Sequence, residues 1–201
     1  MKGLQLLTCL LGLSVSLLQA DEFIRVSPGS FTMGAPETEE DRFSDEIQHE
    51  VNMTHPYLLG SKEVSWSLWS KVRAWAVEHG YDELSPGKNG FNGGENEDHP
   101  VIGITWWDAI EWCNARSEME GLTPVYYRDR GFSAQNVVRG TCQHVLVNTR
   151  ANGYRLPTEA EWENACRAGT QSPYSVQEVD ADGVSQAGWH GLNSNRNTHP
   201  G

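Results

Sequence analysis

Three carboxylates at alternate positions, Glu159, Glu161 and Glu163, close the run Gly153-Tyr-Arg-Leu-Pro-Thr-Glu-Ala-Glu-Trp-Glu163. Acids so close together could serve general acid–base chemistry, one held protonated while another stays ionised. The residues around them point to architecture instead. Thr158 stands where a hydroxyl caps a helix, and Glu161, three residues on, can return a bond to the capping residue's N–H. All three acids then fall in the first turns, where the helix dipole favours negative charge. Pro157 holds the entry extended, Ala160 and Ala165 favour helix, Trp162 supplies a large apolar anchor, and Gly169 offers a left-handed stop. Arg155 is expected to pair with an acid or a buried carbonyl.

The other reactive side chains are scattered. Histidines stand at 49, 55, 79, 99, 144, 190 and 199 with no His-x-x-x-His or His-x-His pair, so their spacing names no metal site. His99 and His199 each precede proline and are expected to shape loops. Beyond the N-terminal apolar run, Cys113, Cys142 and Cys166 form no Cys-x-x-Cys pair; in an oxidising compartment any two of them could bond. Tryptophans 69, 106, 107, 112 and 162 are expected to build the core rather than a ligand cage. No position is assigned a catalytic or cofactor-binding role on these grounds. Asn52-Met-Thr54 is formally a glycosylation acceptor, a pattern that also arises by chance.

Positioning these groups falls to one domain's worth of chain. The 201 residues carry a net charge of −12, eight tryptophans and 20 glycines, a composition that predicts an aromatic-pinned globule and argues against nucleic acid or an anionic membrane as partner. Residues 1–20 read as a secretory signal peptide. Lys2 precedes the apolar run Leu4 to Leu18, with Cys9 inside it, and Ala20 stands before Asp21-Glu22. That implies an exported protein, periplasmic or secreted, with no membrane attachment after cleavage.

After the leader, Phe23–Val26 and Ser30–Met33 flank a Ser27-Pro-Gly29 turn and predict a β-hairpin; His49–Met53 and Tyr57–Leu59 predict the next strand pair. Residues 35–48 read as an acidic exposed loop and 85–99 as a Gly/Asn-rich one. Three helices are expected with Ser65, Thr105 and Thr158 as caps, Asp108 and Glu161 completing boxes, and Gly80, Gly121 and Gly169 as stops. Between the second and third, Val125–Tyr127 and His144–Val147 predict short strands, and residues 171–201 read as loop. The pattern is α+β with a large irregular fraction.

Several segments, in order, carry a family resemblance: Val26-x-Pro-Gly-x-Phe31-x-Met-Gly34, Glu63-Val-Ser65-Trp, His99-Pro-Val-Ile-Gly-Ile-Thr-Trp-Trp-Asp-Ala109, Leu122-Thr-Pro-Val-Tyr126, and the run from Gly153 to Glu163. Together they resemble the formylglycine-generating enzymes, or sulfatase-modifying factors, whose irregular, loop-rich fold is related to C-type lectins. The resemblance implies that residues 21–201 correspond to the N-terminal two-thirds of such a domain, incomplete at the C-terminus. Full-length members oxidise a cysteine of a sulfatase-type polypeptide to formylglycine with copper and oxygen, using a cysteine pair in the later part. Cys113, Cys142 and Cys166 do not match that pair, so copper is expected only in a full-length relative and this chain is expected to be inactive. The family's structural calcium would fall near Asn193, with Asn195 as a neighbouring ligand, although Asn197 stands where a carboxylate is usual. A non-catalytic C-type-lectin-like binding module, an ergothioneine-synthase-like branch and a gene fragment are the alternatives.

Overall fold

The computed structural model describes residues 23–91, 99–174, 185 and 188–200. The expected signal peptide, residues 1–20, lies outside them, as does part of the 85–99 loop. The described residues open with β1 (Phe23–Val26) and β2 (Gly29–Met33), then β3 (His49–Met53) and β4 (Tyr57–Gly60). These strands do not pair as consecutive hairpins. β1 lies antiparallel to β4, with Val26 opposite Tyr57, and β2 lies antiparallel to β3, with Gly29 opposite Met53. The four strands therefore form two arms of one long hairpin, each arm interrupted once. Pro28 stands in one break and Pro56 in the other, and a proline has no N–H to offer a ladder. Residues 34–48 become the hairpin's far tip, not a loop between two sheets. Arg42 braces that tip by donating to the carbonyls of Ala35 and Glu46.

Helix α1 (Trp66–Val77) starts at Ser65, whose hydroxyl accepts the Leu68 N–H, and α2 (Trp106–Met119) starts at a complete Thr105/Asp108 capping box. The two helices pack into the centre of the molecule. Trp69 and Trp112 stack with ring centroids 5.5 Å apart and planes within 3°. Each indole N–H finds a carbonyl, Trp69 on Ser85 and Trp112 on Trp69 itself, so burial leaves neither polar tip unpaired. Val72, Ala76, Tyr81, Leu84, Ile110, Ala115, Val125 and Val138 complete the core.

The β excursion is shorter than its sequence suggests. β5 (Lys88–Asn89) pairs with β6 (Val101–Ile102), and β7 (Tyr126–Tyr127) pairs with β8 (Leu146–Val147). Asn114, fully buried on α2, holds β7 in place. Its carboxamide oxygen accepts the N–H groups of Val125 and Tyr126, and its amide donates to the carbonyls of Tyr126 and Val138. All four hydrogen-bonding positions of that side chain are used.

Helix α3 (Glu159–Arg167) begins at Thr158 with both bonds of the expected box. Its end differs slightly. The first left-handed residue is Ala168 at φ 47°, and Gly169 follows at φ 89°. The result is a loop-rich α+β fold of small two-stranded sheets around one helical pair.

Candidate functional site

The run from Gly153 to Glu163 is held from both sides. A Cβ on Gly153 would lie 2.3 Å from the Thr123 carbonyl and 2.4 Å from the Ser117 hydroxyl, so only glycine allows this segment to approach the end of α2 and the turn after it this closely. Tyr154 donates its N–H to Ser117 and its hydroxyl to Glu120, while Arg116 lies 4.1 Å from the centre of its ring. Leu156 donates to the Tyr126 hydroxyl. Arg155 grips Glu161 with two bonds of 2.6 Å, the acid partner expected of it. Those bonds from Arg155, with the Thr158 N–H, hold the Glu161 carboxyl below the ordinary glutamate range despite its burial. An acid pinned ionised by a guanidinium and a helix cap is not poised to carry a proton.

Glu163 has a task its position at a helix start does not reveal. Its Oε1 accepts the Gly34 N–H at 2.8 Å, and Arg167 donates to the same carboxylate and to the Gly34 carbonyl. The tip of the long hairpin is thereby fastened to α3.

Glu159, Trp162 and Cys166 are left on the open side of α3, at the spacing that aligns side chains on one helix face. They line a cleft of about 540 Å³ whose other walls are the hairpin tip at Gly34, Ala35, Glu39 and Glu46 and the later segments at Tyr174 and Trp189. Trp162 is 58% exposed and Trp189 61%. The expectation that Trp162 anchors a core is therefore corrected. The buried residue of α3 is Glu161, which the Arg155 clamp holds inward, while Trp162, the next residue around the helix, points into the cleft. Trp106 is likewise exposed, at the first position of α2 beyond its cap, whereas Trp69 and Trp112 are buried and Trp107 packs against the core as expected.

A second cleft, about 720 Å³, runs between β4 and residues 151–157 and is floored by Tyr57, Tyr154 and the Arg155–Glu161 pair. Tyr57 donates its hydroxyl to the Glu161 carbonyl at 2.6 Å. Its polar groups are thus engaged with one another.

The expected ion ligands take the following places. Asn193 closes a turn: its side-chain oxygen accepts the His190 N–H at 2.7 Å and its amide donates to the carbonyls of Gly188 and Ser185. Asn195 sits beside it in the left-handed region at φ 51°. Two carboxamides are fewer than the six to eight oxygens calcium takes, so calcium here requires further donors. His99 shapes its loop as expected, its Nδ1 lying 2.8 Å from the Thr198 hydroxyl, and His199 stacks on Trp189 at 3.7 Å.

Copper held as in the family's enzymes needs a pair of thiolates. Cys113 lies in the core, where burial pushes its thiol up to about 12 against the pull of Arg116. The Cys142 thiol donates to the His144 carbonyl, and Cys166 stands exposed on α3. All three are free, and among the described residues no group of three His, Cys, Asp or Glu side chains is placed for a metal ion. Among the described residues, Cys113, Cys142 and Cys166 do not fit a copper centre.

One buried group was not legible in the sequence. Glu111 is 4% exposed on α2, and its Oε2 has no hydrogen-bond partner. Burial raises its affinity for a proton, against a bond from the Gly140 N–H, and the charges of Asp108 and Glu83 raise it further while Arg128 lowers it.

Comparison with known proteins agrees with this architecture. The family model described as the sulfatase-modifying factor enzyme 1-like domain matches residues 14–200. A curated relative from Paenibacillus barcinonensis, "Chaperone protein LppX", is 31% identical over 179 residues, covering 87% of this chain and 55% of its own. The chain thus spans about half the length of that relative. Among solved structures, CarF is similar at 30% identity and a TM-score of 0.62, covering 74% of this chain and 57% of that one. Treponema denticola variable protein 1 is similar at 25% identity and a TM-score of 0.66, covering 87% and 62%. PvdO from Pseudomonas aeruginosa, at 21% identity, 76% and 49% coverage and a TM-score of 0.51, shares the fold. This chain belongs to the sulfatase-modifying factor (formylglycine-generating enzyme-like) domain family.

Proposed function

We propose that this protein binds a polypeptide client, of the sulfatase type by family, through the cleft beside α3, and that Cys113, Cys142 and Cys166 do not carry the oxidation to formylglycine. The observation behind this reading is how the family's signature run is used. Gly153, Tyr154, Arg155, Leu156, Thr158, Glu161 and Glu163 are all committed to holding the fold. The outward face they leave presents an indole, a carboxylate and a thiol to an open cleft. Such a surface binds. Among the described residues Cys166 is the one cysteine lining the cleft, and Cys113 is buried and held as a thiol, so the cleft brings no thiol pair together. A relative named as a chaperone supports client binding.

The test is incubation of the chain with copper, oxygen and a peptide carrying a sulfatase-type cysteine motif. The expected result is that the peptide binds and its mass stays unchanged. Formylglycine in the product would overturn the non-catalytic assignment, and absence of any peptide binding would overturn the client-binding one. Calcium at Asn193 and Asn195 stays a proposal of the same reading, checked by whether calcium raises the melting temperature.

A further inference from the structure

We infer that the occupant of the cleft beside α3 is a cationic stretch of polypeptide, its lysine or arginine side chains laid on Trp162 and Trp189 and met by Glu39, Glu46 and Glu159. This rests on the client-binding reading above and adds the client's chemistry. Four carboxylates line the cleft, Glu39, Glu46, Glu159 and Glu163, and among the described residues the one guanidinium lining it is Arg167. Arg167 is already committed to Glu163 and to the Gly34 carbonyl. The hairpin tip adds Glu37, Glu40, Asp41 and Asp45, and its Arg42 is turned onto backbone carbonyls. The field in the cleft is therefore negative, on a chain of net charge −12, which draws a cation in and turns an anion away.

The aromatic rings make the second half of the match. Trp162 and Trp189 are exposed by more than half, and Tyr174 by 48%, around one concavity. Exposed rings gathered on one surface mark a contact site, and an indole face beside carboxylates holds a cation better than either group alone. Elsewhere the protein completes this pairing internally. Arg116 lies 4.1 Å from the Tyr154 ring centre with Glu120 at its guanidinium, and Arg139 lies 5.0 Å from the Tyr81 ring centre with Glu118 beside it. In the cleft His199 covers one face of Trp189, and the rest of that ring, Trp162 and the acids are left for the cation a client would bring.

The experiment measures fluorescence anisotropy of a short labelled peptide of alternating Lys and Ser, against a neutral counterpart of alternating Gln and Ser. The rate of maleimide labelling at Cys166, on the cleft wall, gives a second readout. The basic peptide should bind roughly tenfold more tightly than the neutral one, weaken in high salt, and slow Cys166 labelling. Trp162→Ala, and separately the pair Glu39→Gln with Glu159→Gln, should each weaken it roughly tenfold, while Glu50→Gln on β3 leaves it unchanged. Equal binding of the neutral peptide, still lost in Trp162→Ala, would overturn the cationic client and keep the client-binding reading. Basic-peptide binding that ignores these variants and leaves Cys166 labelling fast would place it elsewhere and overturn the inference. Failure of both peptides and of the sulfatase-type peptide would overturn both readings.

Discussion

Helices α2 and α3 start with the same device and end in opposite surroundings. Each has a threonine cap with an acid three residues on, and both reciprocal bonds are made in each. α2 then buries eight residues in succession from Ile110 to Ser117, whereas α3 buries Glu161 alone. Each carries an indole within its first two turns, yet Trp112 stacks in the core and Trp162 faces the cleft. A cap fixes where a helix begins and which N–H groups are satisfied. It carries no information about which face meets protein and which is left for a partner.

Breaking the closed region should cost most. Asn114→Ala removes a side chain that satisfies the buried N–H groups of Val125 and of Tyr126 at the start of β7, and is expected to lower stability by about 4 kcal/mol in urea unfolding. A loss under about 1 kcal/mol would show that water replaces those bonds and that α2 is not the closed element described here. Gly153→Ala places a methyl against the Thr123 carbonyl and the Ser117 hydroxyl, and should cost roughly 2 kcal/mol by overpacking. It tests whether the signature run is pressed onto α2 as tightly as the distances say.

The two helices should also respond oppositely to pH. Glu111 on α2 binds its proton more tightly folded than unfolded, so its contribution is full below the usual value of 4.5 and is lost as pH rises through the folded value. Glu161 on α3, held down by Arg155, contributes above 4.5 and loses that contribution as pH falls through its folded value. Glu111→Gln should therefore raise the melting temperature at pH 8 more than at pH 4, and Glu161→Gln should cost more at pH 7 than at pH 3. Identical pH profiles for both variants would remove this contrast.

Smaller effects probe α3 itself. Thr158→Ala should cost about 1 kcal/mol through loss of the cap; unchanged thermal stability would sink that assignment. Trp162→Ala should change stability by less than about 0.5 kcal/mol, because its indole is mostly in solvent, while peptide binding falls. A large stability loss there would mean that the indole anchors the fold after all.

Local chemistry carried the capping boxes, the Ser65 start, the Arg155–acid pairing and the core role of Trp69 and Trp112. Each depends on neighbours a few residues away or on strong helical periodicity. Strand pairing was misread, since alternation identifies a strand and does not name its partner. A two-residue interruption at Ser27-Pro28 looks the same whether the chain reverses or runs on. Trp162 was misplaced for a similar reason, because an apolar residue on a short helix is equally consistent with a core and a docking face.

The sequence by itself determined the family and three helix starts. These are properties of residue identity and short spacing. Only the tertiary structure decided that Glu163 reaches back to Gly34, that Asn114 holds β7, and that an acidic hairpin tip and two exposed indoles enclose one cleft. Those contacts join residues far apart in the chain, and their geometry exists once the long hairpin folds back over α3.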